Sequence, residues 1–118
     1  MQIYGTKLEQ EQEVLSYLAD ILTDTYASES AVLRAQSAAA ARLSNAELHF
    51  DAARVSVSES AGRIELAARN ALAAMADGDV LRTQLAALRR LLKVTPANTV
   101  VMRRRLADAA VAKGGYIF

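Results

Sequence analysis

Bulky apolar residues recur at helical spacing along the first third of the chain. Leu15, Leu18, Leu22, Tyr26 and Leu33 follow the i, i+3/i+4, i+7 pattern, with Val14, Ile21 and Val32 beside them. No Gly or Pro falls between residues 9 and 40. The pattern therefore predicts one long helix over about 9–40, preceded by a frayed lead-in over residues 1–8. Glu29 breaks the apolar row, seven residues after Leu22 and fourteen after Leu15.

A second long pattern predicts a helix over about 46–76. Phe50, Val57, Ile64 and Ala71 form one heptad row, and Arg54, Ala61, Ala68 and Met75 its neighbour. Ser44 with Glu47 reads as a capping box, with Asn45 as the alternative cap. Gly62 sits in mid-helix, where Gly costs about 1 kcal/mol against Ala. A close helix–helix approach would account for it, and so would an open surface position. Gly78 suits a helix stop.

Two shorter helices follow, over about 80–93 and 96–113. The first starts at Asp79 as N-cap and turns Leu81, Leu85, Leu88 and Leu92 inward, with Leu91 beside them. Arg89, Arg90 and Lys93 fall near its end, where cations suit the helix dipole. The second starts at Thr95-Pro96, cap and first helical position, and turns Met102, Leu106, Ala109 and Ala110 inward. Gly114-Gly115 ends it, and the apolar tripeptide Tyr116-Ile117-Phe118 is expected to pack on this domain or on a neighbour.

The fold class is therefore all-α: an up-and-down four-helix bundle with two long antiparallel helices and two shorter ones, forming a single domain over 1–118. The turn near residues 42–45 is short, so the long helices form a hairpin about 45 Å long at 1.5 Å per residue. In that hairpin, paired residue numbers sum to about 86. Leu15 should then face Ala71, Leu18 face Ala68, and Leu22 face Ile64.

Composition supports helix. The 118 residues are 53% hydrophobic, much of it Ala, but only 5% aromatic, with one Pro and no Trp. There is no Cys, which excludes disulfide and thiolate chemistry within the chain. No apolar run approaches the ~20 residues that span a bilayer. The opening Met-Gln-Ile-Tyr-Gly-Thr-Lys lacks the features of a signal peptide and reads as the cut edge of a longer chain.

The net charge of +1 hides an asymmetry. Residues 1–30 carry a net of −5, residues 31–78 balance, and residues 79–118 carry +6. An acidic first helix lying near basic last helices would account for this, as would a basic face offered to another domain, an anionic ligand or a membrane surface.

Catalytic signals are missing. His49 is the one His, and positions 45, 46, 52 and 53 are Asn, Ala, Ala and Ala, so no metal face forms around it. Ser56, Ser58 and Ser60 have no general base beside them and read as a polar helix face. Arg89-Arg90 and Arg103-Arg104-Arg105 spread around their helices and lack interleaved aromatics, which argues against nucleic acid. No catalytic, cofactor-binding or metal-binding residue is assigned. A lone carboxylate in a helix seam needs a partner or water, so Glu29 is expected either to pair with Arg54 or to lie solvated where the seam opens.

The first helix also carries a resemblance. Residues 11–34 resemble the helix opening the extra C-terminal domain of very-long-chain-type acyl-CoA dehydrogenases, through Leu18-Ala19-Asp20, Asp24, Tyr26-Ala27, Glu29-Ser30 and Arg34. Ser28 stands where that family usually has Met. The ending, Arg104-Arg105-Leu106-Ala107-Asp108 through Lys113-Gly114-Gly115-Tyr116-Ile117-Phe118, is similar to the family's close. The middle helices agree in length and composition. The resemblance implies a helical domain cut from the C-terminus of a longer enzyme, packing on the catalytic domain of the same polypeptide and supporting assembly, with a homodimer allowed. It implies FAD in the parent enzyme and none held by this segment. That parent would oxidise acyl-CoA to 2-enoyl-CoA in fatty acid β-oxidation.

The Arg- and Ala-rich composition suggests a bacterial, cytoplasmic protein. Mitochondrial members of the family also associate with membranes, but the acidic lead-in here lacks a basic amphipathic anchor. The alternatives are a free-standing helical interaction or dimerisation module, and a domain peripheral to the inner face of the membrane through Arg89, Arg90 and Arg103–Arg105.

Overall fold

The computed structural model describes residues 11–93 and 95–118. The lead-in expected over residues 1–8 lies outside them. Four helices and no strand occur among the described residues: α1 Gln12–Ala40, α2 Ala46–Met75, α3 Gly78–Leu91 and α4 Thr99–Lys113. The all-α architecture of two long and two shorter helices is thus the one the periodicity predicts.

Local chemistry sets the helix ends. At the end of α1, Arg42 takes a left-handed φ of 55°. Its N–H donates to the Ala39 carbonyl, and the Leu43 N–H donates back to the Ala38 carbonyl, both at 3.1 Å. That pair of bonds is a Schellman closure, with Arg in the place Gly usually fills. Gly114 closes α4 in the same left-handed region, at φ 78°. The expected start of α4 at Thr95-Pro96 is corrected: the helix begins at Thr99, because the Asn98 side chain accepts from the Val101 N–H at 3.3 Å and caps it there. The start of α3 shifts as well, with Asp77 rather than Asp79 at the N-cap, although no hydrogen bond comes from the Asp77 side chain.

The residues group into two units. One takes the described residues within 1–25 and 61–94, and the other takes 26–60 and 95–118. In the first unit Val14, Ala67 and Ala71 are buried. Tyr17, Ile21 and Ile64 are half-buried, as are Leu81, Leu85, Leu88 and Leu92 of α3. Arg63 on α2 reaches Asp24 on α1 through both Nε, at 3.2 Å, and Nη2, at 3.0 Å. The numbers of this pair sum to 87, within one of the expected antiparallel register.

The face expected in that seam is overturned. Leu22 is 71% exposed, and Leu15 and Leu18 also lie on the exposed side. The inward positions of α1 here are Val14, Tyr17, Ile21 and Asp24, spaced three and four apart. The small buried residues of this unit, Ala67 and Ala71, lie on α2, while α1 turns Val14, Tyr17 and Ile21 inward and leaves its leucines outside.

In the second unit small residues hold the seam of α1 and α2. Ala35 and Ala38 of α1 are buried, together with Ala53 and Ser60 of α2. Met102 is the buried residue of α4, with Leu106, Ala109 and Ala110 half-buried on the expected face. Tyr26 is 76% exposed, and Leu33 is exposed with it. At Gly62, in the first unit, a Cβ would meet nothing within 4 Å. The close approach offered to explain this glycine is absent, and the residue is an open surface position.

Candidate functional site

The second unit carries an open groove of about 500 Å³. Its floor is small and apolar, made by Ala27 and Ala31 of α1 with Ala52 and Ala53 of α2. Tyr26 and Phe118 are its aromatic walls. The polar groups lining it are Ser30, Ser56, His49 and Arg34. Arg34 is exposed and makes no hydrogen bond or ion pair among the described residues, and no Asp or Glu side chain lines the groove.

The chain's last residues build one end of this groove. Phe118 lies against His49, ring centroids 4.4 Å apart and planes tilted by 40°. Tyr116 meets Phe118 edge to face at 5.9 Å. The Asn45 side-chain amide, at the start of α2, donates to the Ile117 carbonyl at 3.1 Å. The terminal tripeptide therefore packs on this chain, and His49 is a packing residue. Among the described residues no group of three His, Asp or Glu side chains is placed to hold a metal.

Two cations of α4 are spent on α2. Arg105 donates to the buried Asp51 at 2.8 Å, and Arg103 pairs with Glu59. The basic C-terminal segment thus finds part of its counter-charge on the second helix, within the same unit. Arg104 makes no such contact among the described residues.

Glu29 and Arg54 are not brought together. Both are exposed, and no ion pair joins them. Glu29 lies with the exposed row of α1, where hydration satisfies a carboxylate without a partner. The cross-helix pairs that do form, Asp24–Arg63, Asp51–Arg105 and Glu59–Arg103, were not anticipated. Each is a single acid on a helix, and nothing in the spacing distinguishes it from a surface charge. The tail contact had a signal, an apolar tripeptide directly after a Gly-Gly stop.

Comparison with known proteins decides the family. The description "Acyl-CoA dehydrogenase, C-terminal domain" matches residues 1–90. The chain belongs to that family. A probable acyl-CoA dehydrogenase of Bacillus subtilis (strain 168) is 42% identical over 111 residues, which is 93% of this chain and 18% of that protein. The crystal structure of an acyl-CoA dehydrogenase complexed with FAD from Bacillus anthracis superposes with a TM-score of 0.94 at 36% identity, over 99% of this chain and 21% of that one. The chain therefore spans about a fifth of the length of either relative. The structural match carries the family likeness past residue 90, through α4 and the tail. Four residues of the opening resemblance, Tyr26, Ala27, Ser30 and Arg34, line the same groove as Phe118 from its close.

Proposed function

We propose that this chain is a single structural domain, the C-terminal part of an FAD-dependent acyl-CoA dehydrogenase. In this reading it packs on the catalytic domain of the same polypeptide and performs no chemistry itself. The whole enzyme removes the α-proton of an acyl-CoA and transfers hydride to FAD, giving the 2-enoyl-CoA, as a step of fatty acid β-oxidation in the bacterial cytoplasm. The observation that carries the reading is the superposition of nearly the whole chain on one fifth of an FAD-complexed acyl-CoA dehydrogenase. The exposed Leu22, Tyr26 and Leu33 agree with it, since a long helix that turns its bulky residues outward has a face left to cover. The test is direct. The purified 118-residue chain should show no flavin absorbance and no acyl-CoA oxidation with an artificial electron acceptor. Yellow, active protein would overturn the assignment.

A second reading has an observation of its own. No residue of α3 is fully buried, Leu91 is 83% exposed, and Arg89 and Arg90 make no ion pair among the described residues. An amphipathic helix with a free basic edge suits the surface of an anionic membrane. Arg103 and Arg105 drop out of this reading because both are held by acids of α2. No helix among the described residues is long and apolar enough to cross a membrane, so the association would be peripheral. Sedimentation with phosphatidylglycerol vesicles at low and high salt tests it, and light scattering of the free chain tests a homodimer.

A further inference from the structure

We propose that the groove walled by Tyr26 and Phe118 receives a segment of the catalytic part of the polypeptide, and that Arg34 anchors it through an Asp or Glu side chain. The inference deepens the domain-packing reading and rests on it. Three features define the occupant. The floor of Ala27, Ala31, Ala52 and Ala53 is shallow and apolar, so it accepts an extended or helical stretch of chain laid along it. Arg34 has no partner among the described residues and no Asp or Glu side chain lines the groove, so an acidic side chain laid in it would complement the guanidinium. A guanidinium engages a carboxylate in a planar two-bond arrangement, and the Ser30 and Ser56 hydroxyls that line the same groove supply donors beside it. The acidic groups nearby in sequence are already engaged or turned elsewhere. Asp51 is held by Arg105, Glu59 by Arg103, and Glu29 is exposed outside the groove. No Asp or Glu among the described residues lines the groove, and the acidic partner is assigned to the catalytic part.

The test uses a full-length polypeptide, made by exchanging the matching segment of the Bacillus subtilis relative for this chain carrying Arg34→Lys. The substitution keeps the positive charge and makes position 34 reactive toward a zero-length carbodiimide, which joins an amine to a carboxylate in contact with it. Mass spectrometry of the digest is expected to show position 34 joined to an Asp or Glu of the catalytic part. Crosslinks from position 34 only to acids of this chain, or to a second copy, would overturn the proposal. Crosslinks to the catalytic part from Lys93 or Lys113, with none from position 34, would remove the groove and leave domain packing standing. No crosslink to the catalytic part from any lysine would sink both. As a second readout, Arg34→Glu should leave the melting temperature of the isolated chain unchanged and raise hydrogen exchange over residues 26–34 in the full-length polypeptide. Equal exchange with and without the substitution would count against the anchor.

Discussion

Arg105 on α4 donates to Asp51 on α2 at 2.8 Å, and the Asp51 side chain is only 6% exposed. A carboxylate that deep needs a cation, and the neighbouring Arg103–Glu59 pair sits about half in solvent by comparison. The two pairs lie two residues apart on α4 and are of unequal weight, because desolvation and screening differ between them. Arg105→Met should destabilise the chain by about 1–3 kcal/mol, since it leaves a buried carboxylate unpaired. Arg103→Met should cost below about 1 kcal/mol. Urea unfolding of both variants measures the difference, and equal costs would show that Asp51 is better hydrated than its burial indicates.

The C-terminal tail is expected to hold the second unit. Phe118 is half-buried and packs its ring against His49, and Ile117 accepts from Asn45. Phe118→Ala should cost about 1–2 kcal/mol, less than the truncation of a fully buried aromatic because part of the ring already meets water. Thermal melts give the value. A variant that melts with the parent would mean the tail adds nothing in solution.

Periodicity and Gly/Pro placement made the helices and the hairpin register legible in the sequence. They did not reveal which side of α1 faces inward. Leu15, Leu18 and Leu22 form the stronger apolar row by bulk, and the structure buries the row of Val14, Ala35 and Ala38 instead. Hydropathy rewards large side chains, whereas the fully buried positions of α1 and α2 are mostly Ala, and small side chains let two helices pack closely. The groove was legible only as separated motifs. Tyr26, Ser30 and Arg34 stand more than eighty residues from Phe118 in sequence. Only the fold brings them onto one surface.

Exposure also sets the energy of the Glu29–Arg54 relationship. With both side chains in water, a double-mutant cycle of Glu29→Gln and Arg54→Gln should give a coupling below about 0.5 kcal/mol in the isolated chain. A coupling above about 1 kcal/mol would establish a specific pair in solution.

Backbone conformation offers two stabilising changes of opposite kind, and together they separate local geometry from packing. Gly62 lies inside α2 with nothing within 4 Å of a would-be Cβ. Gly62→Ala should add about 0.5–1 kcal/mol by lowering the entropy of the unfolded chain. Arg42 holds a left-handed φ of 55° at the end of α1. An L-residue there is strained by about 1–2 kcal/mol, and glycine relieves this while making the unfolded chain looser. Arg42→Gly should therefore gain only about 0.5–1 kcal/mol. The reverse test is Arg42→Val, whose β-branch suits that conformation poorly and should lower stability. If Arg42→Gly destabilised the chain, the Schellman closure through Ala38 and Ala39 would not be what ends α1 in solution. The turn would then need a contact of the Arg42 side chain to hold it.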